Sequence, residues 1–506
     1  MILSNTNRWK KLDLITDSKT HTETMLGILA MQDGAEQIGA YYNNDFTYWL
    51  KNYKLGKSEY YPTNFDYAAQ NTDWQDEVFV KNAFMHNYNL SIDGGSDKGH
   101  YAFSAGYFGQ NGTIIGSSYE RLTLRLNTDF AVRKWWTIGE HLSFKYSTGR
   151  NAMNNSSSAG ASILSGALAM APWDPVYYPQ GSVNINGKDI SGNYSAGSNF
   201  KNVTNPFQMA FNTEPNNKSE RVVGDLYMEF KPVDGLVIRP SISADYTLAR
   251  DRSFAYPNTY TSYNYSEDNY VGSNMGRYCS LLEETTATYG REIKKHKFSV
   301  MVGQTWQEYN TYSIGGSGAN ILNTDPSNWY LSNTTTDKTE SSDAVSRIRR
   351  LSFLGRAFYS YDNRYMVTVN FRADASSRFT KNPWGFFPSA ALAWRISEEP
   401  WVKGKAAWLD NLKIRAGWGQ VGNDGVGSNA FQQTMTTGTL VFTDYPLGLY
   451  PQEVIPGAAV LTQVNMDGKW ETNEQWDAGI DFSFWNGKLN GAIDYFRRNT
   501  LDALMN

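Results

Sequence analysis

The chain has 506 residues, with 46 basic side chains against 50 acidic ones and a formal charge of −4. That balance gives no electrostatic reason to expect nucleic acid as a partner, and a single cysteine, Cys279, excludes an internal disulfide or a thiolate metal cluster. Aromatics are abundant, at 15% of residues, and a mean hydropathy of −0.53 does not exclude a membrane protein, because a transmembrane barrel has a polar interior and polar loops.

In chain order, residues 1–80 are polar, aromatic and irregular. Thr22–Ile38 fits a short helix, but the apolar content is thin, so 1–80 reads as a large extracellular-loop segment. The opening stretch lacks the charged-then-apolar pattern of a signal peptide. The longest apolar run, Gly160–Trp173, is shorter than the roughly 20 residues a spanning helix needs.

From Phe84 a period of two takes over, the pattern of strands with one oily and one wet face. Phe84, Tyr88, Leu90 and Ile92 alternate with polar residues. Tyr101 to Tyr107, Leu122 to Phe130 and Trp136 to Tyr146 follow. After a long loop come runs beginning at Val222 and Leu236. Pro240 inside the latter lacks a ladder donor and argues against a regular central strand. A weak polar run covers 278–290, and a strong one contains Phe298, Val300, Val302 and Trp306. Leu351 to Tyr361 and Tyr365 to Ala373 flank a tight Asp362-Asn363 turn. Ala390 to Ile396, Leu412 to Trp418, Ala478 to Phe484 and Leu489 to Tyr495 complete the series.

That makes about fourteen strands of roughly 9–14 residues, long enough to cross a bilayer at a tilt. Short connections (94–99, 131–135, 231–235, 292–297, 362–363, 485–488) alternate with mostly long ones (148–220, 250–277, 310–345, 374–387, 420–473). The exceptions are a modest 110–119 among the long set and an extended 398–410 among the short. In an antiparallel meander, alternate connections fall at opposite ends, so the long loops gather at one end. Outer-membrane barrels have that arrangement; sandwiches and propellers do not usually sort their connections so consistently. Trp135, Trp136, Tyr146, Trp306, Tyr309, Tyr359, Tyr361, Tyr365, Trp418 and Trp485 fall near the expected strand ends, where aromatic girdles sit.

Several long motifs then resemble one family, the SusC/RagA-type TonB-linked outer-membrane receptors. They are NTDWQDEVF (71–79), HNYNLSIDGGSDKGHYAFSAGYFGQNG (86–112), RLTLRLNTDF (121–130), FLGRAFYSYDNRYMVTVNFRADASSRF (353–379), WGFFPSAALAWRISEEPW (384–401), LKIRAGWGQVGND (412–424) and WETNEQWDAGIDFSFWNGKLNGAIDYFRRNT (470–500). KKLDL (10–14) resembles the segment after the family's first barrel strand. The resemblance implies a 22-stranded barrel, of which residues 81–506 supply about 14 strands as a partial antiparallel transmembrane β-barrel. It implies an internal fragment, with the plug and TonB-contacting region before residue 1 and the final strands after Asn506. It further implies the Gram-negative outer membrane as location, lipid around the barrel, a SusD-like lipoprotein lid, TonB as energy source, and glycan oligomers or peptides as cargo.

Sugars are commonly held by aromatic faces plus planar polar groups, which makes Trp173, Tyr177, Tyr178, Trp329, Tyr330, Trp384 and Phe386 the candidate cargo-contact residues in the loops. The Tyr- and Asn-rich stretch 256–270 is either a capture surface or a wet loop. No cofactor, metal or catalytic residue is assigned, and the chain reads as a non-enzyme. The five histidines are scattered, with no HExxH spacing, and Glu283-Glu284 and Glu398-Glu399 are sequence neighbours that would point apart on a strand. Asn423 and Asp424 in the GNDGVG loop tip (422–427) could offer oxygen ligands to calcium, without EF-hand spacing. Arg347, Arg349 and Arg350 form the densest basic cluster, at a strand end facing headgroups or lumen. The alternative is a secreted or surface-displayed β-rich adhesin or glycan-binding protein with oily faces buried between sheets; a β-rich glycoside hydrolase is a third.

Overall fold

A computed structural model describes residues 71–150, 162–184, 186–196, 203–261, 264–427 and 466–504, with short stretches between 431 and 460. The expected helix at Thr22–Ile38 lies outside the described residues.

Fourteen strands form one antiparallel meander in which each pairs with its neighbours in sequence. They are β1 (Met85–Ser96), β2 (Gly99–Asn111), β3 (Ser118–Arg133), β4 (Trp136–Arg150), β5 (Thr213–Phe230), β6 (Leu236–Ala255), β7 (Tyr270–Ile293), β8 (His296–Ile321), β9 (Thr334–Tyr361), β10 (Tyr365–Ser376), β11 (Trp384–Arg395), β12 (Leu409–Asn423), β13 (Glu471–Phe484) and β14 (Leu489–Leu501). β1 and β14 do not pair, so the wall is an open arc of a barrel. No described helix is long and apolar enough to cross a membrane; crossing is done by strands.

The strands match the period-two runs one for one, but several are far longer. β7, β8 and β9 have 24, 26 and 28 residues. The connection expected over 310–345 therefore shrinks to 322–333, and the one over 374–387 to 377–383. The sorting of connections survives. One end carries 97–98, 134–135, 231–235, 294–295, 362–364, 396–408 and 485–488; the other carries the large loops 151–212 and 424–470. At the tight end Asp362 and Asn363 both adopt positive φ, 52° and 54°, the geometry of hairpin turns that match strand twist.

Pro240 does sit within a central strand. β6 pairs with β5 at Tyr227–Ser241 and Phe230–Ile238, but the two rungs between are missing. On the other side, the ladder to β7 runs through Pro240–Thr285 without a break. The missing N–H thus interrupts one ladder only.

Register keeps the apolar residues on a single face. Val300 lies opposite Ala357, then Val369, Ala390, Trp418 and Trp476 across successive strands. These side chains are not covered by a second layer: Val302 is 57% and Ile493 67% exposed. That rules out the sandwich with oily faces pressed together. An apolar, exposed outer face belongs in hydrocarbon. Its edges carry aromatic stacks. At the tight end these include Trp136 on Phe230 at 6.0 Å, Tyr361 on Tyr365, Tyr365 on Trp394, and Trp408 on Phe484 at 5.6 Å. Toward the other end they include Phe353 on Trp384, Phe371 on Phe386, and Trp418 on Trp476. Trp384 and Trp394 share the outward face of β11 ten residues apart, about the length of strand a bilayer needs. Trp306 lies mid-strand, because β8 runs on past the membrane. Tyr309 is a correction: it has the opposite parity and faces inward, under Arg350.

Candidate functional site: the lumen wall and its outer cap

The inward face of the same strands is polar because period two sends alternate residues there. Arg221 on β5 forks onto Asp245 of β6, with Nε 2.8 Å from Oδ1 and Nη2 2.6 Å from Oδ2. His141 on β4 bonds Asp225 at 3.0 Å and stacks on Tyr227, whose ring carries the Arg239 guanidinium at 4.0 Å. His100 bonds Asp129 at 3.0 Å. His100, Asp129, His141 and Tyr227, with Asp93 and Asn127, line a recess of about 640 Å³ near the tight-turn end. Across the sheet, Lys413 and Arg415 converge on Asp481, and Arg415 also reaches Asp494 at 2.7 Å. Many of the acids on this face are thus met by a basic group, which gives a hydrophilic wall of balanced charge. Glu283 and Glu284 point to opposite faces, Glu283 opposite Trp306 and Glu284 opposite Thr305. They form no carboxylate dyad.

At the outer end, three short helices make a small core of their own. Asp73 caps α1 (Trp74–Val78), Ser162 caps α2 (Ile163–Ala169), and Asn205 with Pro206 starts α3 (Pro206–Phe211), as capping chemistry requires. Trp74, Val78, Ile163, Met170 and Val203 pack together, and Trp74 Nε1 donates to the Ala171 carbonyl at 3.0 Å. A cavity of about 420 Å³ opens between Tyr119, Ser147, Arg150, Asn217 and Asp251 at the outer ends of β2–β6.

No protein-family model matches the chain. It is 30% identical over 458 residues to the TonB-dependent receptor SusC of Bacteroides thetaiotaomicron, an alignment covering 87% of this chain and 43% of the relative. It is 25% identical to TonB-dependent receptor P3 of Formosa agariphila, covering 88% of this chain and 42% of that one. Among solved structures it superposes on the RagAB peptide transporter with a TM-score of 0.74 at 22% identity, over 98% of this chain and 53% of the other. Over most of its length the chain is similar to SusC/RagA-type TonB-linked receptors. Its membrane is the outer membrane of a Gram-negative cell. It spans less than half the length of the curated relatives it matches.

Within this wall the seven aromatic candidates fall into four groups. Trp173 and Tyr178 are buried, 1% and 3% exposed; the Tyr178 hydroxyl accepts from the Ala196 N–H at 3.1 Å. Both are committed to packing in the 151–212 loop. Trp384 and Phe386 are not loop residues: they start β11 on its outward face, in the stacks described above. Trp329 lies flat on Phe254 at 4.7 Å. Tyr177 and Tyr330 keep open faces, 47% and 48% exposed. Tyr177 stacks on Tyr194 at 4.9 Å; burial, with the Tyr177 hydroxyl beside it, pushes the Tyr194 phenol up to about 12. The Arg252 guanidinium lies 4.4 Å from the Tyr330 ring centre. The backbone of the Tyr-rich stretch forms a small hairpin, Asn258–Thr261 on Asn264–Ser266.

Sequence reasoning missed the inward ion pairs. Their signal was present as Arg, Asp and His recurring at the parity opposite the apolar runs. It missed Asp424 entirely as a structural anchor. That carboxylate is held by Arg350, Arg378 and Ser376, a cationic setting that opposes calcium. Asn423 spends its side chain on Glu471 and the Gly425 N–H.

Proposed function

We propose that this wall belongs to a receptor that imports nutrient oligomers, glycans or peptides, through the lumen it encloses, in work driven by TonB and shared with a SusD-like surface lipoprotein. The observation that carries the reading is the division of one sheet into an apolar exposed face and a charge-balanced polar face, with the large loops gathered as a cap at one end. Such a wall hydrates a polar cargo without gripping it. The cargo sources are suggested by the relatives: a transporter of peptides among solved structures and a SusC receptor among curated proteins. Residues 1–80 then belong to the extracellular side, since the described part, 71–80, packs through α1 into the outer cap.

Cargo contact falls to Tyr177 and Tyr330, with Trp173, Tyr178 and Trp329 shaping the loops beneath. The role is binding and passage, not catalysis. The test is uptake. The complete reading frame, expressed with its neighbouring genes, should retain and import one class of oligomer, and import should stop when the proton gradient is collapsed. Retention of no oligomer, or import indifferent to the gradient, would defeat the reading.

A further inference from the structure

The arginine cluster noted in the sequence is divided by strand parity. Arg350 turns inward, whereas Arg347 and Arg349 lie on the outward face of β9, both on Glu308 of β8 at 3.5 and 2.7 Å. They are not alone there. Arg277 of β7 sits opposite Tyr312 with its guanidinium 5.8 Å from that ring. Arg250 of β6 contacts Glu220 of β5, and Arg252 lies against one side of the Tyr330 ring. Among the described residues, β6, β7 and β9 thus put five arginines on the outward face at this height, against Glu220 of β5 and Glu308 of β8. Arg250, Arg347 and Arg349 keep about half of their side-chain surface exposed. A hollow of about 200 Å³ lies beside Arg277, lined also by Tyr246, Cys279, Leu281, Glu308 and Asn310.

The height of the cluster decides its partner. On β8 the outward series runs Phe298, Val300, Val302, Gln304, Trp306, and only then Glu308, Asn310 and Tyr312. On β9 it runs Tyr359, Ala357, Gly355, Phe353, Leu351, then Arg349 and Arg347. The arginines begin where the apolar face ends, on the side of the large loops. We propose that this patch binds the phosphorylated headgroup of an anionic glycolipid in the outer leaflet. Guanidinium groups match phosphate oxygens in planar, paired hydrogen bonds, and basic clusters flanking a membrane-embedded face draw anionic headgroups. Glu308 holds Arg347 and Arg349 in place between them, while Asn310 and Tyr312 offer further polar contacts. The acyl chains would continue down the face carrying Val300 and Val302. A free anion would have no use for that continuity.

The test uses the complete receptor in nanodiscs containing either bisphosphorylated lipid A or its dephosphorylated form, with bound lipid read by native mass spectrometry. The phosphorylated form should be retained selectively and lost as salt rises. Substituting Arg277→Gln, Arg347→Gln and Arg349→Gln together should lower retention at least tenfold, at roughly fivefold per arginine. The matching lysine substitutions, which keep the charge but not the paired geometry, should retain only part of it, and the lumen variant Arg415→Gln should leave it unchanged. Inorganic phosphate at millimolar concentration should not displace the lipid. Equal retention of both lipids, insensitivity to salt in the unsubstituted protein, or displacement by phosphate would overturn the proposal, and none of these outcomes depends on the variants folding.

Discussion

Arg350 and Asp424 are 74 residues apart and lock face to face: Nε of Arg350 lies 2.9 Å from Oδ2 of Asp424. The same carboxylate accepts from the Ser376 hydroxyl at 2.8 Å and faces Arg378 at 3.3 Å, and the Asp424 carbonyl accepts from Arg378 at 2.7 Å. One aspartate therefore ties the start of the 424–470 loop to the middle of β9 and the end of β10. Beside it Phe379, Phe387, Val426 and Trp470 pack together.

Replacing Asp424 with Asn keeps the volume and leaves two arginines facing a neutral amide. Removing one partner of a buried pair costs about 3 kcal/mol. The expected outcome is faster proteolysis within 424–470 at unchanged strand content, with a lowered melting temperature. Arg350→Ala should behave alike, and the double variant should be less damaging than the sum of the two. Strict additivity would show that the pair is not coupled.

At the opposite end, Glu399 accepts from the Tyr365 hydroxyl at 2.6 Å, from Trp394 Nε1 at 2.9 Å and from Arg364 at 2.9 Å. Those bonds, Tyr365 first, hold the carboxyl below its ordinary range. A depressed folded value means the stabilisation is present above the unfolded-state pKa of roughly 4.3 and is lost as pH falls through the folded value. Acidification below about pH 4 should therefore loosen the 396–408 connection, read by amide hydrogen exchange there. Glu399→Gln should show that loosening at neutral pH and lose the acid step.

Most of the fourteen strands were legible because they have a lipid-facing side and an opposite side of contrasting polarity, so the period of two is written into them; β7 was faint because Leu281-Leu282 and Glu283-Glu284 break the alternation. The tight turns were legible for the same local reason, as with Asp362-Asn363. Strand length was not. β8 and β9 continue past Trp306 and Arg349 through sequence such as TYSIGGSG and TTTDKTES, where neither face is buried in lipid and no apolar alternation is needed. The outer cap was opaque because its core is assembled from residues far apart in sequence: Trp74, Ile114, Ile163 and Val203. Trp173 and Tyr178 carry the same composition as cargo-binding aromatics, and only their neighbours show that they are buried.

Val300 and Met301 are chain neighbours on opposite faces of β8; Val300 lies opposite Ala357 in the apolar row and Met301 opposite Arg356. An arginine at Val300 would have to sit in hydrocarbon, at a cost of about 2–4 kcal/mol near the midplane. At Met301 it would meet the polar lumen. Val300→Arg in the complete receptor should sharply reduce the folded, heat-modifiable fraction in outer membranes, while Met301→Arg should assemble near the normal level. Equal tolerance of both would remove the assignment of outer and inner faces.

Trp173 and Tyr177 lie four residues apart in one loop and should respond differently. Trp173 is buried, so Trp173→Ala should cost about 3–5 kcal/mol locally and expose the 162–212 segment to protease. Tyr177 has an open face and rests on Tyr194, so Tyr177→Ala should leave protease resistance almost intact. If Tyr177 contacts cargo, the same variant should weaken retention of the oligomer about tenfold, as loss of one aromatic platform does, while Tyr177→Phe retains most of it. Intact retention by Tyr177→Ala would leave Tyr330 as the remaining open ring among the seven. Protease resistance in Trp173→Ala would mean the loop is held by its hydrogen bonds and not by that packing.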